Sequence, residues 1–363
     1  MRFYLVNKDL PWLLFSTDRD EFGEIQCCEL EWLTLKRPYG YFNLTEYIKK
    51  RQAPKHRKHI AKLLERYECD DLEGFLRITH ALSLNDTFWV REENSNLCWN
   101  DVSLYRNPFD ELISNAAFDG NFSETTFSST SPEFGTDGYF AKCWIREEQK
   151  IMLYKCGSDT FELEPLSEFL ATQVAEKICP TTVRYDLDFY HGHLVSKCEL
   201  FTSEELGLVK AHSILPHGQR RISDMLRCFE GLGFSDAFRR MCVLDALIVN
   251  VDRHLGNFGV LIDNTTMEIR LMAPAFDHNR SLMFDMDMNQ LENLRWCISH
   301  CKPRIGSDFI STARGMLTPE IRNDLESIRE FSFEQHHEIL TDPERLDALS
   351  TVVRMQAAKI LDT

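Results

Sequence analysis

The spacing of apolar and polar positions predicts a chain rich in strands at its start and mainly helical towards its end. Apolar runs of β type occupy 3–6, 12–15 and 25–32, and turn-forming residues separate them. Beyond residue 202 helical spacing dominates, beginning with 203–212 and 222–231. This order of elements indicates an α+β fold rather than alternating strand–helix units.

Local signals predict further elements. Asn43 is a candidate N-cap for a helix over 44–68 that Pro54 interrupts, and Thr318-Pro319 is a second helix start signal. Glu164-Pro165 begins a third predicted helix, because proline favours the first turn. Further strands are predicted from apolar or alternating runs, at 139–145, 151–155, 182–185 and 193–197, the last two around the turn His191-Gly192.

The segment 238–249 is apolar at helical spacing and predicts a largely buried helix. A dense group of polar residues follows it directly: Asn250, Asp252, Arg253, His254 and Asn257. A buried helix that delivers a polar loop is a common way to hold reactive side chains in place.

A predicted hairpin follows the polar loop. Two β-type runs at 258–262 and 267–272 flank a turn, and the hairpin returns the chain to its starting point near Asp277. Asn257, Asp277 and Asp252 then converge as hard oxygen donors. Such a set suits Mg²⁺ held by few protein ligands together with substrate phosphates.

The spacing from Asp252 to Asn257, followed later by Asp277 after Phe276, is that of a kinase catalytic loop. The order His-Arg-Asp is replaced by Asp-Arg-His, so the chain departs from ordinary eukaryotic protein kinases. It resembles the HipA-like serine/threonine kinases of the phosphatidylinositol-kinase-like superfamily, whose pattern Asn-x-Asp-x-His-x-x-Asn fits residues 250–257 at every fixed position. The alternative interpretation is that Asp252, His254 and Asn257 merely cap and pin a loop.

A loop of small and hydroxylated residues at 119–140 precedes two predicted strands, and its backbone is a candidate phosphate cradle at Gly135, Thr136 and Gly138. It lacks both glycine-rich and Walker patterns, and a mobile surface loop is the alternative. The family resemblance implies a Ser/Gly loop here, with autophosphorylation candidates Ser128, Ser129 and Ser131.

Lys155 ends an apolar strand after this loop, as does the kinase lysine that contacts the α/β-phosphates. Its expected carboxylate partner is Glu168 on the following helix. The resemblance implies that Glu199, Leu200 and Phe201 hold the adenine, and that His254 and Phe276 belong to the nucleotide site.

Composition restricts these hypotheses. The 363 residues carry a net charge of −16, from 57 acidic and 41 basic residues, which argues against general nucleic-acid affinity. No apolar run approaches the roughly 20 residues of a membrane span, and the first residues lack signal-peptide character. A cytoplasmic protein is expected, with delivery to a host cell as the alternative.

The resemblance implies a two-lobed kinase-like fold, with an N-terminal β/α subdomain at 1–115, a kinase N-lobe at 116–202 and a helical C-lobe at 203–363. It implies ATP and Mg²⁺ as cofactors, catalysis by Asp252, Lys155, Asn257, Asp277 and His254, and metal binding by Asn257 and Asp277. It also implies a protein substrate, a role as toxin or effector, and an antitoxin or regulatory partner. The alternatives are a lipid or small-molecule kinase and a catalytically silent nucleotide-binding module.

Overall fold

The computed structural model describes residues 1–56, 59–69, 71–120, 131–160, 162–216, 218 and 220–362. The fold combines antiparallel strand pairs with many helices, which confirms the predicted mixed class. The two-lobed arrangement and the domain limits stay predictions. Within the described ranges, none of the helices has both the length and the apolar character needed to cross a bilayer.

The N-terminal sheet follows the predicted β-type runs. β1 (Arg2–Asn7) lies between β2 (Leu10–Arg19) and β4 (Phe88–Glu92), and β3 (Ile25–Trp32) is the edge strand beside β2. Phe3 pairs with Phe15, and their buried rings stack with centroids 5.5 Å apart. Burial of one such side chain contributes roughly 1.5–3 kcal/mol to the free energy of folding, so the packing of this face stabilises the sheet.

The helix predicted over 44–68 is two helices, as the proline indicated, and Asn43 caps the first by accepting from the Glu46 amide at 2.9 Å. The remaining elements up to residue 156 are α1 (Leu44–Lys49), α2 (Ile60–Arg66), α3 (Leu72–Thr79), α4 (Trp99–Val102), α5 (Glu111–Asp119), a 3₁₀ turn (Pro132–Gly135), β5 (Lys142–Glu147) and β6 (Lys150–Cys156).

The elements over the next part of the chain are α6 (Glu164–Ile178), β7 (Asp186–Tyr190), β8 (His193–Glu199), β9 (Leu206–Lys210), α7 (Ile222–Gly231), α8 (Ser235–Leu247), β10 (Gly259–Asp263) and β11 (Ile269–Met272). The buried helix and the hairpin that follows it are confirmed.

Two local predictions are wrong. Apart from a short 3₁₀ turn at Ala211–Ser213, the segment 203–212 is not helical, because β9 pairs with β10, and its Leu208 amide donates to the Asn85 carbonyl at 2.6 Å. The strand predicted at 182–185 is reduced to a bridge between Thr182 and Ala275, and the hairpin partner of β8 is instead β7. In both places pairing with distant residues overrides the local pattern.

The C-terminal helices are α9 (Met288–Leu291), α10 (Leu294–His300), α11 (Phe309–Met316), α12 (Pro319–Ile328) and α13 (Pro343–Leu361). Thr318 caps α12 by accepting from the Ile321 amide, as its sequence signal predicted. α8 is the central helix of this region, since it packs against α6, α11 and α13.

The chain clusters into two compact units. The first unit comprises 1–155, 199–209 and 261–270, and the second comprises 156–198, 210–260 and 271–363. A core in the first unit is formed by Leu84, Trp89, Trp99, Ile151 and their neighbours. The core of the second unit is centred on α8, whose Phe238 and Leu244 are fully buried.

Candidate functional site

The polar loop after α8 begins with a tight turn. The amide of Asn250 donates to the Asp245 carbonyl at 2.9 Å, and Val249 between them adopts a φ of 51°. A positive φ is strained for a β-branched residue, and such strain costs on the order of 1–3 kcal/mol. The surrounding packing therefore forces the chain out of the helix at this point.

Asn250 fixes the first part of the loop. Its Nδ2 donates to Asp245 Oδ1 at 2.9 Å, and its Oδ1 accepts from the Asp252 amide at 3.0 Å. The side chain is almost completely buried. The backbone of Asp252 is thus tied to the last turns of α8.

Arg253 is the centre of the loop. Its Nε lies 3.0 Å from Asp245 Oδ2, and its Nη1 donates to the carbonyls of Asn257 and Phe276, both at 2.6 Å. Its Nη2 donates to Nδ1 of His278 at 3.0 Å, which assigns the proton of that imidazole to Nε2. One buried guanidinium therefore joins α8, the loop and the segment that carries Asp277.

The charge of Arg253 is maintained by its partner. Burial alone would lower the pKa of this guanidinium, but the attraction of the Asp245 carboxylate outweighs it and raises the pKa. Removal of either charge from such a buried pair leaves the other uncompensated, which is far more costly than loss of a surface ion pair.

Asn257 is oriented as a metal ligand would be. Its Nδ2 donates to the Asp252 carbonyl at 3.2 Å, which turns Oδ1 the other way. Within the described ranges no residue donates a hydrogen bond to that oxygen, although the side chain is only 6% exposed. An amide oxygen and a carboxylate suit Mg²⁺, so Asn257 and Asp277 fit the predicted metal.

Asp277 lies in a constrained backbone. It adopts a φ of 60°, and its amide donates to the hydroxyl of Tyr185 at 3.0 Å. On either side, Val183 donates to the Ala275 carbonyl, and Ser167 binds the His278 carbonyl. The backbone at Asp277 is thus fixed by α6 and by the segment before β7.

Asp252 and His254 lie on the same loop. Oδ1 of Asp252 is shielded from solvent and accepts no hydrogen bond from any described residue, while Nε of Arg304 is 3.0 Å away. Nδ1 of His254 accepts from the Gly256 amide at 3.0 Å, and burial lowers the pKa of its imidazole. Burial therefore favours the neutral form of His254.

In the first unit, Lys155 is a buried lysine at the end of β6. A second buried lysine, Lys142, was not recognised in the sequence interpretation. Lys142 lies opposite Lys155 in the β5–β6 register, and the two residues are 9% or less exposed. Side chains directly opposite in an antiparallel pair share a face, so the two amines belong to one side of the hairpin. The sequence signal that could have identified Lys142 is a lysine at the start of an apolar strand.

The predicted phosphate loop is partly described. Gly138 adopts a φ of 109°, which is strained for any other residue, and a Cβ there would lie 2.0 Å from the Lys142 amine and displace it. A Cβ at Gly135 would meet the Leu82 carbonyl at 2.6 Å. The Thr136 hydroxyl accepts from Trp144 Nε1 and donates to the Pro132 carbonyl, so it serves the fold.

The three serine candidates differ in what the structure describes. Ser131 is buried, and its hydroxyl makes no hydrogen bond with the described residues. Phosphorylation of Ser131 would require this segment to open. Ser128 and Ser129 lie outside the described residues.

The expected adenine segment begins at the end of β8. The Leu200 amide donates to the Ile151 carbonyl at 2.8 Å, and Glu199 forms an exposed ion pair with Lys150 at 2.7 Å. Phe201 is partly buried. This segment is therefore attached to the start of β6, at the opposite end of the strand from Lys155.

Glu168 is completely buried in α6 of the second unit and accepts from the Ser196 hydroxyl at 2.5 Å. A fully buried carboxylate is far from the usual surface position of glutamate. Its role as the partner of Lys155 stays a prediction. Asp245 is another residue that the sequence interpretation missed, since a carboxylate is not expected in an apolar helix, and the pairing of Arg253 with it was missed too.

Comparison with known proteins gives a structural likeness only. No protein-family model and no curated protein matches the sequence. The Helicobacter pylori proinflammatory kinase CtkA superposes with a TM-score of 0.52 at 18% identity, over 64% of this chain and 92% of that one. HipA of Shewanella oneidensis MR-1, in a complex with HipB and operator DNA, superposes with a TM-score of 0.56 at 10% identity, over 99% of each chain. The resemblance to HipA-like kinases is therefore confirmed for the fold.

Proposed function

We propose that the protein transfers the γ-phosphoryl group of Mg²⁺-ATP to a serine or threonine hydroxyl of a protein. The observation that carries this proposal is the contact of one Arg253 nitrogen with the carbonyls of both Asn257 and Phe276. That contact holds the Asn of the loop beside the residue that precedes Asp277. The fold shared with HipA and CtkA adds independent support.

Asp252 is proposed as the residue that orients the acceptor. Its Oδ1 accepts no hydrogen bond from the described chain and lies in an ion pair with Arg304, and the side chain is 18% exposed, so the carboxylate is partly open to an acceptor hydroxyl. In the transfer, the hydroxyl oxygen forms a bond to the γ-phosphorus as the bond from that phosphorus to the β,γ-bridging oxygen breaks. The hydroxyl proton passes to Asp252, and ADP leaves with the bridging oxygen.

The remaining residues are proposed to bind and position ATP. Asn257 and Asp277 would hold Mg²⁺, which when bound neutralises phosphate charge. Lys155 and the backbone at Gly135 and Gly138 would contact phosphate oxygens. The second buried lysine, Lys142, lies opposite Lys155 in register, and this position supports the same role for it.

The residues that contact the adenine and the residue that orients Lys155 are proposed from the sequence hypothesis. Glu199, Leu200 and Phe201 are proposed to contact the adenine, and Glu168 to orient Lys155. His254 and Phe276 are proposed to line the nucleotide site. Thr136 would contribute through its backbone, because its hydroxyl is engaged in the fold.

A protein substrate is carried over from the resemblance to HipA-like kinases, and a cytoplasmic location is proposed from the sequence itself. The Shewanella protein is described in a complex with HipB and operator DNA. We propose by analogy a protein partner for this chain, an antitoxin or a regulator. The net charge of −16 favours no direct nucleic-acid contact by the chain itself.

The test is transfer of label from [γ-³²P]ATP to the protein itself and to a mixture of casein and histone. We expect Mg²⁺-dependent label on serine or threonine with the wild type, and none with Asp252→Asn. Asp347→Asn, an exposed aspartate of α13, is the matched control and should keep full activity.

Two outcomes would overturn the proposal. Equal labelling by the wild type and Asp252→Asn would remove Asp252 from the reaction. ATP binding without label in any acceptor would favour the nucleotide-binding module instead.

A further inference from the structure

A cation outside the predicted motif touches the proposed catalytic aspartate. Nε of Arg304 lies 3.0 Å from Oδ1 of Asp252. The Asp252 side chain is 18% exposed, whereas that of Arg304 is 54% exposed. The guanidinium therefore covers one side of the carboxylate and remains open to solvent on the other.

The loop that carries Arg304 is fixed on both sides. Pro303 and Ile305 line a small cavity of about 20 Å³ together with Asn250 and Arg253 of the catalytic loop. Directly after them, Gly306 has a φ of 86°, and a Cβ there would lie 2.1 Å from the Thr312 hydroxyl. The backbone of Arg304 is thus packed against the catalytic loop and against α11.

The hydrogen-bonding capacity of Arg304 is unused. Its contact with Asp252 is an ion pair without a directed hydrogen bond, and its N–H groups bond to no residue that the structure describes. A guanidinium has five donors in a planar fork that matches phosphate oxygens. Arg304 can therefore contact Asp252 and still bind an anion.

The other nearby cations are unsuited to this task. The guanidinium of Arg253 is buried and is engaged by Asp245, by two carbonyls and by His278. Burial lowers the pKa of His254, which disfavours the charged form of its imidazole. Of the three, Arg304 alone offers positive charge and open donors beside Asp252.

We propose that Arg304 binds the phosphoryl group during its transfer to the acceptor hydroxyl. In that state negative charge spreads over the equatorial phosphoryl oxygens, and the Nη1 and Nη2 donors neutralise it. Arg304 is chemically unchanged by the reaction. This inference rests on the proposed phosphoryl transfer and adds a residue to it.

The test compares Arg304→Ala and Arg304→Lys with Lys302→Ala, a control that removes an exposed positive charge two residues away. We expect Arg304→Ala to lower kcat by about 10²–10³-fold, the effect of losing one transition-state donor. Arg304→Lys should recover only part of this loss, because a lysine has no fork. Lys302→Ala should match the wild type.

A second readout separates charge stabilisation from a merely structural role. Mg²⁺-ADP affinity should be the same in the wild type and Arg304→Ala. Added aluminium fluoride, a mimic of the transferring phosphoryl group, should tighten ADP binding in the wild type and fail to do so in Arg304→Ala. Matching thermal unfolding of Arg304→Ala and Lys302→Ala shows that the variants are folded.

The outcomes distinguish this inference from the proposed function. If the wild type transfers no phosphoryl group, the proposed function fails and the inference fails with it. If the wild type is active and Arg304→Ala is equally active, only the role of Arg304 fails. A higher kcat for Arg304→Ala would also overturn it, since the arginine would then block the base.

Discussion

The guanidinium of Arg253 lies against the carboxylate of Asp245, with Nε 3.0 Å from Oδ2, and both side chains are buried. Asp245 belongs to α8 and Arg253 to the loop that it delivers. Since the same arginine also binds the carbonyls of Asn257 and Phe276, the pair determines where the proposed catalytic residues lie.

The first prediction concerns this pair. Asp245→Asn should lower the free energy of unfolding by about 3–5 kcal/mol, because Arg253 is then a buried charge without a counter-ion. Asp236→Asn is the control, since Asp236 lies on the same helix but is exposed, and loss of its ion pair with Arg240 should cost less than about 1 kcal/mol. Equilibrium urea unfolding measures both, and equal losses would contradict the assigned role.

The second prediction concerns metal binding by Asn257. Asn257→Ala removes the Oδ1 proposed to bind Mg²⁺, so the Mg²⁺ concentration for half-maximal activity should rise by about tenfold or more. Asn289→Ala, at an exposed position of α9, is the control. The measurement is a Mg²⁺ titration of phosphoryl transfer at saturating ATP. An unchanged titration curve for Asn257→Ala would show that the metal binds elsewhere.

The local parts of this molecule could be predicted from the sequence. The spacing of Phe238, Met241 and Leu244 revealed the buried helix, and the turn chemistry at 263–266 revealed the hairpin after it. Helical spacing and turn residues act over a few positions, so a single sequence carries them. The strands of the N-terminal sheet could be predicted for the same reason.

The contacts between distant residues could not be predicted. Asp245 was hidden in an apolar helix, and Arg253 was interpreted only as part of a reordered motif, because their pairing depends on the tertiary fold. The strand β9 was taken for a helix, since its partners Asn85 and β10 are far away in sequence. Arg304 lies in a loop whose position near Asp252 no local pattern signals.

The third prediction concerns the two buried lysines. Lys142→Met and Lys155→Met should each weaken ATP binding by about tenfold or more, since a charge-assisted hydrogen bond contributes roughly 1.5–3 kcal/mol. Lys49→Met is the control, because Lys49 is an exposed lysine at the end of α1 and has no part in the proposed nucleotide site. Calorimetric titration with a non-hydrolysable ATP analogue measures the affinities. An unaffected affinity in Lys142→Met would restrict phosphate binding to Lys155.

The fourth prediction concerns pH and His80. Its Nδ1 is 3.2 Å from the Val90 carbonyl, and burial lowers the pKa of the imidazole from the ordinary value of 6.5. The folded protein then binds this proton less readily than the unfolded chain. The contribution of neutral His80 to the stability of the fold is therefore fully present above about pH 6.5. It is lost progressively as the pH falls below that value.

His80→Asn tests this directly. Asparagine tolerates the positive φ of 53° at this helix end and cannot titrate. The variant should lose less stability than the wild type between pH 7 and pH 5, as measured by thermal unfolding. His337→Gln, at an exposed position, should lose as much as the wild type. If His80→Asn and the wild type lost equal stability, the acid sensitivity would belong to other groups.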